Sequence, residues 1–335
     1  MLLFILRRLL MLIPVIIGLT VIMFAIARLL PGDPVGLAAG PNATQAEIAA
    51  LAVEFGLDQP IWVQYWSYVT GLMQGDLGTS LLTRRPVAAD IAAYLPATLE
   101  LVFAAMAFAV LVGIPLGLVT AVWRNKWPDY LSQVAAIGAI SMPRFFLGLL
   151  LQLCFAMWLM WLPLGGRLPI IVIPPPRFTG FMTIDSLIAG DWDTFTLSLR
   201  HLALPAIAMS LSPLATIMRM MRASTIEVMG QDYVMTARAL GLSPRLIITK
   251  YVARNAISAT LTVIGLYFGW LLGGTVLVET VFDWPGLGLY ATKAIVSQDM
   301  MPVIGVALVI GLLFVLANLI IDVLYGVINP KVRYS

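Results

Sequence analysis

Six long apolar runs dominate this chain, at about residues 9–30, 97–123, 131–161, 202–221, 256–281 and 302–327. Each is long enough to cross a bilayer, since roughly 20 apolar residues in a helix span a hydrocarbon core of about 30 Å. Lipid offers no partner to a free backbone N–H or C=O, so such runs are expected to be helical. Pro143 interrupts the third run, and Pro205 and Pro213 lie in the fourth. Neighbouring helices of a bundle can satisfy the carbonyls that proline frees. Composition agrees: 61% of residues are hydrophobic and 11% charged, against about 25% charged in an average soluble domain. The expected fold class is an all-α integral membrane protein with six transmembrane helices.

Arg7 and Arg8 stand ahead of the first run, as in a secretory signal. The run from Leu9 to Leu30 is nonetheless of spanning length, and no small-residue A-x-A site follows it. An uncleaved anchor is the expected reading.

Charge assigns the sides. With the N-terminus inside, the cytoplasmic pieces carry Arg7, Arg8, Arg124, Lys126, the cations of the 219–254 stretch, Lys331 and Arg333, opposed by Asp129, Glu227 and Asp232. The other side collects Asp33, Glu47, Glu54, Asp58, Asp76, Asp90, Asp185, Asp191, Asp193, Asp283 and Asp299. That is the positive-inside pattern, and an even number of spans returns the C-terminus to the cytoplasm.

The segment 222–255, RASTIEVMGQDYVMTARALGLSPRLIITKYVARN, is polar and basic within a chain that is otherwise mostly apolar. Arg219, Arg222, Arg238, Arg245, Lys250 and Arg254 fall in or beside it. It reads as two short helices with a turn between them. Gly241 suits a left-handed stop of the first. Ser243 suits the cap of the second, and Pro244 its first helical position. An ordered basic helix pair on the cytoplasmic side suits a soluble partner. A solvated loop that only fixes topology is the competing reading.

Two external segments exceed simple turns. In 31–96, Thr44 and Glu47 fit a capping box before a short helix. A second helix is expected at about 61–74, with Trp62, Tyr65, Trp66 and Tyr68 favouring the membrane interface. Residues 162–200 carry the run Pro174–Pro176 and then DSLIAGDWDTF. These segments suit loop-on-loop packing or an external docking surface. Asn42-Ala43-Thr44 matches a glycosylation sequon that chance also produces.

Catalytic signatures are missing from the sequence. Cys154 is the single cysteine and His201 the single histidine, so neither a disulfide nor a Cys or His metal cluster can form within the chain. No G-x-x-x-x-G-K-[ST] or H-E-x-x-H occurs. A few ionisable groups lie in or beside the runs, where charge is costly. Glu100 can reach the external interface. Arg144 follows Pro143 at a bend and can line a cavity or pair with a carboxylate. Glu279 closes the fifth run in VETVFDWPGLG, and Asp322 lies in the sixth. They form no relay of acids and histidines, which weakens the case for an ion-gradient-driven secondary transporter. A membrane scaffold with no transport path is the other competing class.

Several blocks carry a family likeness: RRLLMLIPVIIGLTVIMF, LLPGDP, FGLDQPIWVQYWSYVTGLMQGDLGTSL, LPATLEL, AVWRNKWPD, the Ser-Met-Pro at 141–143, HLALPAI, RASTIEVMGQDYVMTARALGLSPR, LLGGTVLVETVFDWPGLG and DVLYGVINPKVR. In this order and spacing the chain resembles, over essentially its full length, the B-type permease subunit of bacterial dipeptide, oligopeptide and nickel ABC importers.

The resemblance implies a type I ABC importer permease fold in the bacterial inner membrane. Residues 1–30 would form an N-terminal transmembrane helix, 31–96 a periplasmic segment, and 97–330 a core of five further spans. Asp232, Tyr233, Thr236, Ala237, Arg238 and Gly241, with Arg254 and Asn255, would couple to cytoplasmic ATPases. Met235 stands where the broad family has a glutamate, and Thr236 where it has its first alanine. Arg144 stands where an apolar or small residue is usual. Arg144 and Glu279 are the polar candidates for the translocation path.

Partners implied by the resemblance are a second homologous permease, two ATPase subunits and an external solute-binding protein, within membrane lipid and with no nucleic acid. ATP and Mg would be bound by those ATPases, leaving this chain no cofactor and no catalytic residue. Peptides, glutathione, opines and nickel chelates are among the solutes that such systems carry.

Overall fold

The computed structural model describes residues 2–29, 44–46, 50, 53 and 58–328. Among them the regular structure is helical, apart from an isolated bridge between Thr79 and Pro86. In chain order the helices are α1 (Leu2–Leu29), α2 (Ile61–Met73), α3 (Val87–Val122), α4 (Trp127–Ser141) and α5 (Arg144–Leu151). They continue with α6 (Met182–Ile188), α7 (Trp192–Met229), α8 (Asp232–Ala239) and α9 (Pro244–Gly273). The last three are α10 (Val276–Val281), α11 (Leu287–Val296) and α12 (Met300–Ile328). Wide π turns extend α5 through Gln152–Trp158 and lie within α9 at Ile247–Ala253.

Four helices, α3, α7, α9 and α12, are long and apolar enough to cross a membrane. The pair α4–α5 adds a fifth crossing if it is one span, but its two arms are bent by 109°. Proline chemistry explains the bend. Pro143 cannot continue the hydrogen-bond ladder, and Met142 before it is forced to extended backbone at φ −94°, ψ 136°. The first expected span lies in α1, whose described apolar stretch is Leu10–Ile26.

The centre of the molecule is the pair α3–α7, which run side by side in the same direction: Gly113 lies against Leu214 and Ile217, and Gly117 against Met218 and Met221. Of the apolar window of α7, 67% is buried, against 28% in α12. Helix α7 is therefore the core strut, and α12 leaves most of its surface to lipid or other chains. Leu101, Val102, Ala105 and Met106 of α3 pack on Leu204, Ala208, Met209 and Ile217 of α7. Glycines set this approach: at Gly117 a methyl group would sit 2.7 Å from both the Met218 carbonyl and Met221 Cβ. Small residues four apart let backbones close in where lipid supplies no hydrophobic squeeze. The same device recurs on α9, where Gly265 and Gly269 lie against Ile321 and Phe314 of α12.

Several sequence-based boundaries move. The second span begins at Val87 rather than residue 97, because Pro86 opens the helix and its polar first turns belong to the same rod. The fourth continues past 221 to Met229. The second short helix expected after Gly241 is not separate: Pro244 starts the rod that becomes the fifth span. That span ends at Gly273, and 276–281 is a short helix of its own. Hydropathy marks where a helix enters lipid, whereas caps mark where it starts and stops, which explains the differences.

Helix α2 matches the expected 61–74 closely and packs on α1. The Thr20 and Tyr65 hydroxyls are 3.0 Å apart, and Phe24 meets the Tyr65 ring edge-on at 5.4 Å. The capping box expected at Thr44 and Glu47 falls, at Glu47, outside the described residues.

Candidate functional site

Helix α8 is a two-turn rod held against the ends of α7 and α9 by a small core of its own. Val234 and Ala237, one turn apart, face inward with Ile247 and Val252 of α9, and Val228, Met229 and Leu242 close the cluster. Its other face is open: Tyr233, Met235 and Leu240 are exposed. The turn after it is a complete Schellman motif. Gly241 N donates to Arg238 O at 3.0 Å and Leu242 N to Ala237 O at 3.2 Å. Gly241 adopts φ +75°, the left-handed value anticipated from the sequence. Ser243 then caps α9 by accepting from Leu246 N at 3.4 Å.

The structure gathers the anticipated coupling residues around this rod. Asp232 is its first residue, and Thr236 donates to the Asp232 carbonyl at 2.9 Å. Arg238 lies in its last turn, where a cation complements the helix dipole. Asn255 ties the rod to the span: its Nδ2 donates to the Tyr233 hydroxyl at 3.2 Å and to the Tyr251 carbonyl at 2.7 Å. Arg254 and Asn255 follow the π turns of α9, both exposed.

A buried ion pair braces the same end of the molecule. Arg222 of α7 grips Asp129 of α4 through Nε at 2.6 Å and Nη2 at 2.8 Å. The Asn125 amide and Gln133 Nε2 supply two further donors to that carboxylate. Sequence reasoning used both charges for topology but could not pair them, because 93 residues separate them. The one local signal was Pro128-Asp129 opening a helix after a polar turn.

Arg144 sits at the first position of α5, beyond the break. Its guanidinium lies against Gly274, where any side chain would collide with it. Glu279 is fully enclosed. Its Oε1 accepts from the Thr98 hydroxyl at 2.7 Å, and its Oε2 from the amides of Gly288 at 2.6 Å and Leu289 at 3.1 Å. The two polar candidates therefore stand apart in character: one at a helix break, the other locked inside the wall made by α10 and α11.

Residues 113–334 match the family described as binding-protein-dependent transport system inner membrane component, and residues 1–102 match the N-terminal region of the same kind of protein. The chain belongs to that family. The dipeptide transport system permease protein DppB of Alkalihalophilus pseudofirmus is 44% identical to it over all of both chains. The probable D,D-dipeptide transport system permease protein DdpB of Escherichia coli K12 is 44% identical over 95% of this chain and 94% of its own. The glutathione transport system permease protein GsiC of Salmonella typhimurium LT2 is 40% identical over all of both.

In this inner membrane component the ETVFDWPGLG block is a structural knot at the end remote from α8. Trp284 is 1% exposed, and its Nε1 donates to the Ala97 carbonyl at 2.8 Å. Gly286 must lack a side chain because a Cβ would lie 2.5 Å from the Glu279 carboxylate. Glu100, expected to reach the interface, is instead buried and paired with Arg167. Its other oxygen takes the Thr183 amide at 2.8 Å and hydroxyl at 2.7 Å. The reason is the segment 162–190, which folds over the start of α3 and removes Glu100 from water. Asp322 is among the residues whose side chains are not described.

Proposed function

We propose that this chain is the membrane-spanning subunit of an ATP-driven importer of short peptides. The observation that carries the reading is α8: an exposed face with Tyr233, Met235, Arg238 and Leu240, mounted on its own core and ended by a rigid turn. Such a rod transmits force without folding away, and it suits a groove in a soluble ATPase. The dipeptide permeases among its relatives support the substrate class.

Two permeases, this chain and a homologue, pair with two ATPase subunits and an external solute-binding protein. ATP and Mg belong to the ATPases, and no residue here performs covalent chemistry. Six spans place both termini in the cytoplasm, with α8 on the same side. The 1–30, 31–96 and 97–330 segments act as anchor, periplasmic segment and core. ATP binding closes the ATPase dimer and moves Asp232, Tyr233, Thr236, Ala237, Arg238 and Gly241 with it, while Arg254 and Asn255 pass the motion to α9. The loaded binding protein favours the outward-open state only through its higher affinity for that state. Arg144 is the polar group of the path at the helix break, and Glu279 holds the wall that lines it.

Reconstitution in liposomes tests the reading. Uptake of a labelled dipeptide should require ATP, the ATPase subunits and the binding protein together. Uptake driven by an ion gradient without the ATPases would refute it and favour a secondary transporter.

A further inference from the structure

A cleft of about 280 Å³ opens between the 166–170 turn and α11, at the end of the molecule opposite α8. Its floor is the stacked pair Tyr94–Tyr290, with ring centroids 4.9 Å apart and planes within 15°. The Tyr290 hydroxyl donates to the Asp90 carboxylate at 3.1 Å, which holds that ring in place. Leu289 adds an apolar wall. Two opposite charges line the same cleft, Asp283 and Lys293, and both are exposed.

These two charges are available. Among the described residues the ion pairs join Arg85 to Asp90, Arg167 to Glu100 and Arg222 to Asp129, so neither Asp283 nor Lys293 is in one. Arg167 also lines the cleft, but its charge is already spent on Glu100. Its Nε–H is buried without an acceptor. Asp283 is held at φ +46°, in the left-handed region. A volume just under the range of about 300–1,000 Å³ for ligand pockets suits a small molecule rather than a long chain.

We propose that this cleft is an entry subsite for a zwitterionic short peptide, with Asp283 receiving the free α-ammonium, Lys293 the free carboxylate, and the Tyr94–Tyr290 stack a side chain. The proposal rests on the importer reading above, and it adds a place where this chain itself reads free peptide termini. An anion would want only cations here and an apolar ligand neither charge. The pairing of one unspent acid with one unspent base over an aromatic floor is what selects a zwitterion.

The test uses the assembled transporter in nanodiscs, without the binding protein, and the photoreactive dipeptide L-alanyl-L-(4-benzoyl)phenylalanine. Irradiation should label this chain beside Leu289. Excess L-alanyl-L-phenylalanine should abolish the label, while the N-acetylated, C-amidated form should not. Asp283→Asn and Lys293→Gln should each lower labelling about tenfold, the scale of one charge-assisted hydrogen bond. Asparagine tolerates the left-handed backbone, so the first variant spares the turn. In liposomes both variants should lose uptake while ATP hydrolysis stimulated by the binding protein persists.

Labelling elsewhere, or equal competition by the blocked peptide, overturns the subsite. Loss of the stimulated hydrolysis in either variant also overturns it, because the cleft would then be a docking surface. If the unaltered transporter shows no ATP-dependent uptake, the importer reading itself fails. If uptake is present but the cleft is never labelled, only the subsite fails.

Discussion

Asp129 and Arg222 form a two-pronged ion pair, at 2.6 and 2.8 Å, that fastens the start of α4 to the last third of α7. Asp129 is 1% exposed, so its charge depends on that partner. Arg222→Gln would strand a buried carboxylate with only the Asn125 and Gln133 donors, at a cost of about 3 kcal/mol. Arg222→Lys should be nearly as harmful, because an ammonium cannot make both parallel bonds. The double variant Asp129→Asn with Arg222→Gln should recover part of the loss. Thermal unfolding of the four proteins in detergent measures the coupling; strictly additive losses would show that the pair does not act as a unit.

Gly241 tests the link between α8 and transport. No atom lies within 4 Å of where its Cβ would be, so crowding cannot explain an effect there. What remains is its φ of +75°, which costs an L-residue about 1–2 kcal/mol and a β-branched one more. Gly241→Val should insert normally yet show poor ATP-dependent uptake, and Gly241→Asn should keep most of it. Uptake per inserted protein is the readout, and normal uptake by the valine variant would break the assignment.

The Glu279 knot predicts a stability effect from a nearly isosteric change. In Glu279→Gln one oxygen becomes an NH₂ group. That group must face either the Thr98 hydroxyl or the amides of Gly288 and Leu289. Loss of about 2 kcal/mol is expected if buried donors are left facing a donor. Gly288→Ala should be worse, since its new methyl would collide with the Val276 backbone. Yields of folded protein and detergent melting temperatures check both.

Asp185, on the short helix α6, sets an acid limit. Burial pushes its carboxyl up. Hydrogen bonds from the Thr179 amide and hydroxyl and the Gly180 amide, at 2.7 to 2.8 Å, outweigh burial and hold it below the usual range. A depressed folded-state value means stabilisation that is complete above the unfolded value of about 3.9 and drains as pH falls through the folded one. Protease resistance of the segment around 176–190 should therefore drop below about pH 4. Asp185→Asn should be less resistant at pH 7 and change little on acidification.

Much of this architecture was legible beforehand. Apolar run length announced the long helices, and the Gly241 stop and the Ser243 and Pro244 start were readable because caps are local chemistry. Basic residues crowded near 219–254 marked out the segment that folds as α8 and the start of α9. Helix ends were harder, since a polar turn such as 87–96 can belong to the same rod as the apolar run after it.

Local patterns, in short, specified the helices and the turn that makes α8 a rod, because those depend on neighbours within a few residues. Which charges meet was decided only in three dimensions. Asp129 finds Arg222, Glu100 finds Arg167, and Glu279 finds Thr98 and the amides of α11 across separations that no periodicity encodes. The physical reason is desolvation: a charge removed from water must be paired wherever the fold brings a partner. Only the packed bundle determines where that is.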